Sequence, residues 1–205
     1  LNYCGAAILM PYKLFHEECK KQKYDLELLQ NTFATSFEQV AHRVTCLQDP
    51  ALPGIPFHML RVDIAGNISK RFSLSGIEIP RYGGACPRWN IYSAFTTPGK
   101  IHAAVSKMSN GEKYVCIART VEKGVGRYGK SKSMLSIGLG CEAKYAKDFV
   151  YTENLNVNDK KTEIPIGVSC RTCDRLDCSQ RAFPPLHKKF DVDINSRGVS
   201  VYVSD

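Results

Sequence analysis

Apolar residues follow two different spacings along the chain, a helical one over residues 1–48 and an alternating one over residues 57–140. In the first stretch they recur every three or four positions, as at Phe37, Val40 and Val44. In the second, short runs of apolar and β-branched residues are separated by turn sequences. The pattern therefore predicts helices first and a sheet after them.

Residues 1–48 are predicted to form several short helices. Pro11 ends the first of them, and Asp25 is suited to cap another because its carboxylate can accept from free N–H groups. Ser36 and Gln39 have the spacing of a capping box at the start of the last helix. The final two helices have the outline of a helix–turn–helix, but the second carries few side chains suited to base recognition. We interpret them as a supporting αα-hairpin.

The alternating stretch predicts five strands, at residues 57–64, 68–73, 100–108, 113–122 and 134–140. Asn110-Gly111 is a strong hairpin turn between the third and fourth strands. Further helices are predicted from Cys86 and over residues 142–151, and the proline-rich residues 49–56 are predicted to form a linker or domain boundary. The fold class is α+β, with N-terminal helices, an antiparallel sheet carrying helices on one side, reminiscent of PAS and GAF sensor domains, and a cysteine-rich C-terminal segment.

The charge balance narrows the choice of partner. The chain has 205 residues and a net charge of +8, which favours nucleic acid, a phosphorylated small molecule or a membrane surface as partner. No apolar run approaches the ~20 residues that a membrane helix needs, and the first residues lack the basic n-region and the cleavage site of a signal peptide. We expect a cytoplasmic fragment that begins inside a larger protein, without disulfides.

Three of the nine cysteines lie close together in the sequence, at Cys170, Cys173 and Cys178. Thiolates spaced C-x2-C-x4-C converge readily on a soft metal centre that takes a fourth thiolate from elsewhere. Cys86 is the first candidate for that ligand because glycines precede it and a proline follows, and Cys141 is the rival. The spacing favours an iron–sulfur cluster of the 4Fe-4S type. Zinc is the alternative, since it also accepts four thiolates, but structural zinc sites usually show two C-x2-C pairs and this sequence shows one.

Enzymatic motifs are missing from the sequence. His16-Glu17 begins like H-E-x-x-H, but Lys20 stands where the second histidine is needed. The letters from Gly124 to Gly129 fit G-x-G-x-x-G, yet this basic loop is not predicted to open a helix. We therefore expect no enzymatic activity from this chain.

Several segments resemble the C-terminal portion of the short-chain fatty acyl transcriptional regulator family, which includes regulators of propionate, glyoxylate-cycle and methylcitrate-cycle genes. The resemblance is carried by segments spread over nearly the whole chain: 2–12, 36–47, 60–63, 66–72, 83–89, 140–142 and 170–182. It implies that residues 1–48 are the tail of a peptidase-like domain of the ImmA/IrrE type. Residues 57–205 would be the effector-binding domain, with a cysteine-rich cluster segment at 166–185.

The resemblance also implies short-chain acyl-CoA or coenzyme A as ligand and DNA as partner only through an upstream domain. Because no apolar run is long enough to cross a membrane, we expect no membrane partner. We further expect a homo-oligomer. Candidate residues for the phosphates of coenzyme A are Arg61, Lys70, Arg71, Arg81 and Arg88, and Trp89 and Tyr92 are candidates for an acyl or adenine pocket. Lys123, Arg127 and Lys130 are second-line candidates. The competing hypothesis is a zinc-stapled interaction module of a DNA-binding regulator without a small ligand.

Overall fold

The computed structural model describes residues 2–81, 83–124, 128–129 and 132–187. The fold is α+β, as predicted, with helices preceding a six-stranded sheet. The N-terminal helices are α1 (Asn2–Leu9), α2 (Tyr12–Lys21), α3 (Leu26–Thr32) and α4 (Phe37–Val44). The strands are β1 (His58–Asp63), β2 (Ile68–Ser73), β3 (His102–Lys107), β4 (Lys113–Lys123), β5 (Ser133–Glu142) and β6 (Glu163–Pro165), and a short helix α5 (Asn90–Ser93) precedes β3.

The strand order across the sheet is β2-β1-β5-β4-β3-β6. All neighbours are antiparallel except β6, which pairs with β3 in parallel. The five predicted strands are present, and Gly111 has the positive φ of 91° that the Asn110-Gly111 turn requires. The sixth strand was not predicted because three residues are too few to show an alternation.

Helices α1 to α4 cover one face of the sheet and share a hydrophobic core with it. Phe57 lies at the centre of this core, with its ring centroid 5.3 Å from that of Tyr24 and 5.4 Å from that of Phe149. Asp25 caps α3, and Ser36 and Gln39 form the predicted capping box of α4. These caps place the apolar side of α4, including Val40 and Val44, against the strands.

The prediction of helices on one side only was wrong, because the other face is also covered. There α5, Trp89 and the C-terminal segment enclose a second core with Leu60, Val62 and Ile166. The prediction of a helix over residues 142–151 was also wrong, since this stretch forms two 3-10 turns, Ala143–Asp148 and Val150–Thr152. Phe149 between them is extended, and this conformation lets its ring enter the core beside Phe57.

Residues 49–56 connect the helices to the sheet. Gly54 lies against Leu47 so closely that an added Cβ would come within 2.6 Å of the Leu47 Cβ atom. Ile55 is buried, and its N–H donates to the hydroxyl of Tyr24 over 3.2 Å. The helices and the sheet therefore pack on a common core across this connection. None of the helices within the described ranges is long and apolar enough to cross a membrane.

Candidate effector cavity and cysteine segment

A buried carboxylate joins α4 to the sheet. The side chain of Glu38 is 7% exposed and pairs with Arg61 of β1 at 2.8 Å and with Lys70 of β2 at 2.7 Å. Lys123, at the end of β4, forms a third ion pair with the same carboxylate. Burial favours the neutral acid, but the hydrogen bonds from Lys123 and Lys70 outweigh it and lower the pKa of Glu38 to about 2.

The strand register brings two of these cations together. Arg61 and Lys70 are cross-strand partners in the β1–β2 ladder, so their side chains emerge side by side on one face. Ser69 fixes the Arg61 guanidinium further, because its hydroxyl accepts from Nε over 2.8 Å. Arg61, Lys70 and Lys123 therefore surround the single carboxylate of Glu38, and the four side chains together carry a net charge of +2.

A cavity of about 510 Å³ opens beside Glu38, between α1, α4 and the sheet. Lys70 and Lys123 provide its positive charge, and Ala6 and Leu9 of α1 provide an apolar wall. His42 adds no charge near neutral pH, because burial and the nearby Lys70 lower its pKa. The volume falls within the ~300–1,000 Å³ of small-molecule sites. The cavity therefore suits an anion that carries an apolar group.

Among the seven predicted ligand residues, Lys70 lines this cavity and the other six do not. Arg71 donates to the carbonyl oxygens of Pro80 at 2.9 Å and of Arg81 at 2.8 Å. Trp89 is 6% exposed, and both it and Tyr92 belong to the core on the opposite face of the sheet. Neither Arg81 nor Arg88 lines the cavity. Of the seven predicted ligand residues, the structure unites Arg61 and Lys70 around Glu38.

Sequence reasoning did not single out Glu38. An acidic residue in the first turn of a helix has an ordinary role there, since it complements the helix dipole. Only the packing of α4 against β1 and β2 shows that this carboxylate is buried among cations. Lys123 was a second-line candidate and lies at the cavity, whereas Arg127 and Lys130 lie outside the described residues.

Cys86 lies against the cysteine segment on the other face of the sheet. Its N–H donates to the carbonyl oxygen of Val168 over 3.1 Å, and the indole N–H of Trp89 donates to that of Gly167 over 2.9 Å. Burial raises the pKa of Cys86, and the thiols of Cys170 and Cys173 add to the increase. Three of the four predicted cluster ligands are therefore near one another.

Gly167 allows the segment to pack closely. An added Cβ at this position would lie 2.9 Å from the sulfur of Cys173. The sulfur of Cys170 accepts from the N–H of Ala182 over 3.4 Å. Amide hydrogen bonds of this type stabilise the charge of a metal-bound thiolate.

Arg181 organises the segment from within. This side chain is 3% exposed and donates to the carbonyl oxygens of Cys170 at 2.8 Å and Cys173 at 3.0 Å, and also to that of Arg175. Its own N–H donates to the carbonyl oxygen of Cys178 over 3.0 Å. Arg181 thus contacts the backbone at all three cysteines of the C-x2-C-x4-C motif, through its guanidinium at Cys170 and Cys173 and through its backbone N–H at Cys178.

Cys141 lies apart from this segment. It is fully buried in the core shared with α1 to α4, on the opposite face of the sheet from Cys86. Burial raises its pKa, which keeps it a thiol. The structure thus separates the rival ligand from the triplet and places Cys86 near it.

The described thiols do not form a closed coordination site. Within residues 2–187, apart from the gaps stated above, no group of three or more His, Cys, Asp or Glu side chains is arranged to hold a metal ion. The donor chemistry nevertheless fits a thiolate-bound cluster, because soft sulfur ligands, an amide donor to sulfur and a buried cation occur together. The residues that would hold such a group are Cys86, Cys170, Cys173 and Cys178.

Comparison with known proteins gives a consistent result. Residues 46–202 match the model of the "Short-chain fatty acyl coenzyme A regulator, C-terminal" family, and residues 1–45 match the "IrrE N-terminal-like domain". A solved Mycobacterium tuberculosis transcriptional regulator superposes with a TM-score of 0.92 at 39% identity, over 98% of this chain and 61% of that one.

Curated relatives are named as regulators, not as enzymes. The HTH-type transcriptional regulator RamB of M. tuberculosis is 44% identical over 98% of this chain and 43% of its own length. The propionyl-CoA carboxylase regulator of Cereibacter sphaeroides is 43% identical over the same shares, and the HTH-type transcriptional regulator PrpR of M. tuberculosis is 41% identical over 99% and 42%. This chain spans less than half the length of these relatives. With most of its residues matched by the family model, the chain belongs to the short-chain fatty acyl coenzyme A regulator family.

Proposed function

We propose that this chain is the effector-sensing part of a transcriptional regulator that responds to short-chain acyl-CoA. The observation that carries the proposal is the cation-rich cavity where α1 and α4 meet the sheet. DNA binding would belong to a part of the protein outside this chain. Self-association and a cytoplasmic location stay predictions.

The cavity has both kinds of surface that an acyl-CoA needs. Lys70 and Lys123 can donate charge-assisted hydrogen bonds to phosphate oxygens, and these are stronger than neutral ones. Ala6 and Leu9 offer an apolar surface to the pantetheine or acyl part. Glu38 neutralises only one of the three cations around it, so a phosphate would enter a site that is still positive.

Binding at this junction would couple ligand to conformation. A phosphate on Lys70 or Lys123 draws the same ammonium groups that hold Glu38, and so changes the attachment of α4 to the sheet. An effector that binds one arrangement of helices and sheet better than another shifts the population toward it. Residues 1–45, which contain α1 and α4, match the IrrE N-terminal-like domain, so the shift would move this part of the chain relative to the sheet.

A calorimetric titration with propionyl-CoA tests the site. The Lys70→Ala/Lys123→Ala double variant should bind about tenfold more weakly or worse, because each lost ionic hydrogen bond costs ~1 kcal/mol or more. Glu38→Gln is the matched variant, since it removes the competing carboxylate and should bind at least as tightly as the original chain. Equal affinity of the original chain and the double variant would place the ligand elsewhere.

We also propose that Cys86, Cys170, Cys173 and Cys178 hold an iron–sulfur cluster. Such a cluster would cross-link the C-terminal segment to the Cys86 loop. The protein's own part is to fix the cysteine backbone through Arg181 and to donate an N–H to the Cys170 sulfur.

Purification without oxygen, followed by metal analysis, tests the cluster. We expect broad absorption near ~400 nm with about four irons and four sulfides per chain. Cys173→Ser should lose most of the iron, whereas Cys46→Ser, outside the segment, should retain it. One zinc per chain and no colour would instead favour the zinc-stapled module, and no metal at all would refute both.

A further inference from the structure

A second cavity, of about 680 Å³, lies at the end of α2. It is bounded by α2, residues 53–56 and the turn Ala143–Asp148. None of its lining residues also lines the cavity beside Glu38. It is therefore a separate site, and nothing in the proposed function uses it.

The walls of this cavity are apolar and fixed in place. Tyr24 is 2% exposed, its ring packs on Phe57, and its hydroxyl accepts the N–H of Ile55. Lys23 and Tyr24 both have positive φ values, 46° and 55°, and this turn directs Tyr24 inward after α2 ends. Tyr145 and prolines 53 and 56 complete the apolar surface.

The rim is positively charged. Lys20, Lys23 and Lys147 line the cavity with a single acidic residue, Asp148, so three positive charges and one negative charge give +2. Lys23 is engaged with Glu153 over 2.8 Å. Within the part of the chain that the structure describes, Lys20 and Lys147 make no ion pair, and their ammonium groups are available to a ligand.

We infer that this cavity binds an organic anion with an apolar body, of the class of medium-chain carboxylic acids. The carboxylate would lie between Lys20 and Lys147, and the apolar body would cover Tyr145 and the two prolines, Pro53 and Pro56, while the buried Tyr24 supports this surface from below. A ligand of this kind satisfies both halves of the surface, because it removes apolar area from water and keeps its charge at the solvated rim. A neutral apolar molecule leaves the lysines unused, and a small inorganic anion leaves the aromatic wall exposed.

The inference is tested by fluorescence titration with anilinonaphthalene sulfonate, an anionic aromatic probe, followed by displacement with decanoate. We expect one saturable site on the folded chain and displacement by decanoate but not by decanol. Lys20→Ala/Lys147→Ala should weaken both ligands by about tenfold, since the two lysines provide the positive charges that attract the ligand's anionic group. The matched control is Lys13→Ala/Lys160→Ala, which removes two exposed lysines outside the cavity and should change nothing.

Each outcome separates this inference from the acyl-CoA proposal. Thermal melts of all variants establish that the probe reports a folded site and not an unfolded chain. Equal affinities in the double variant and its control would overturn the inference, as would the absence of saturation. Loss of propionyl-CoA binding in Lys20→Ala/Lys147→Ala would show that the cavity takes acyl-CoA itself, which also overturns a second site. Unchanged acyl-CoA binding in Lys70→Ala/Lys123→Ala would contradict only the first proposal and would leave this inference standing.

Discussion

The two faces of the sheet are covered in different ways. On one face, α1 to α4 bury a continuous apolar core around Phe57, with the Glu38 ion-pair cluster at its edge. On the other face, a second apolar core includes Trp89 and Ile166, and the segment that follows is ordered by hydrogen bonds from the Trp89 indole and, within the segment, from the Arg181 guanidinium. The cysteines of that segment remain partly exposed.

This difference between the two faces indicates which part stabilises the fold and which part can change its conformation locally. Apolar burial supplies most of the stability of a domain, so the helical face should unfold only with the whole chain. The cysteine segment depends more on hydrogen bonds, so losing one of them should disorder this segment without unfolding the core. A cluster that cross-links the segment to the Cys86 loop would likewise change the order of the segment far more than the stability of the core. We therefore expect the two faces to react differently to the same kind of perturbation.

The largest effect should come from the core of the helical face. Phe57→Ala removes a fully buried ring that contacts Tyr24 and Phe149, and it should lower the free energy of unfolding by about 3–5 kcal/mol. Urea denaturation measures the change. Leu28→Ala, at a half-exposed position on α3, should cost well under half as much, and equal losses would contradict the contrast between core and surface.

The second largest effect on stability should come from the Glu38 ion-pair cluster, and this effect should depend on pH. A folded pKa of about 2 against an ordinary value of 4.5 means that ionised Glu38 stabilises the fold above pH 4.5 and loses this effect as the pH falls toward 2. The contribution is about 3 kcal/mol at pH 7 and about half of that at pH 3. Urea denaturation should show that the free energies of unfolding of the original chain and of Glu38→Gln differ less at pH 3 than at pH 7. A difference that stays constant with pH would refute this assignment.

The cysteine face should give a smaller, local effect. Arg181→Met keeps most of the side-chain volume but removes the donors to the carbonyl oxygens of Cys170 and Cys173. Each charged hydrogen bond contributes ~1.5–3 kcal/mol, so residues 167–187 should lose order while the core stays folded. Limited proteolysis read by mass spectrometry should show faster cleavage there, with the melting temperature nearly unchanged. A cooperative loss of the whole fold would break the proposed distinction between the faces.

The smallest effect is expected at the surface. Lys21 pairs with Glu18 over 3.2 Å, and its side chain is 73% exposed. Lys21→Ala should change the free energy of unfolding by no more than about 0.5 kcal/mol, because water and salt screen such pairs. A loss comparable to that of Phe57→Ala would show that exposed charges, not apolar burial, hold the helical face.

The sequence predicted the parts of the fold that depend on local chemistry. The capping box at Ser36 and Gln39 and the turn at Asn110-Gly111 were found because short-range hydrogen bonds and backbone conformation determine them. The helix expected over residues 142–151 was not found, because Phe149 and Tyr151 pack against distant partners and override local preference.

The candidate site was predictable only in part, for a similar reason. The C-x2-C-x4-C spacing is local and was visible in the sequence, as was Cys86 between the preceding glycines and Pro87. The Glu38 cluster requires one helix and three strands to meet, and the cavity at Lys20 requires α2 to lie beside the turn after β5. Neither juxtaposition has a signature in residue spacing.

Hydrogen exchange with and without saturating propionyl-CoA tests the central claim most directly. If the effector binds where the helices meet the sheet, exchange should slow at the start of α4, in β2 around Lys70 and at the end of β4. The Lys70→Ala/Lys123→Ala variant should lose that protection at the same ligand concentration. Unchanged exchange in these segments, under conditions where calorimetry shows the ligand bound, would contradict the account.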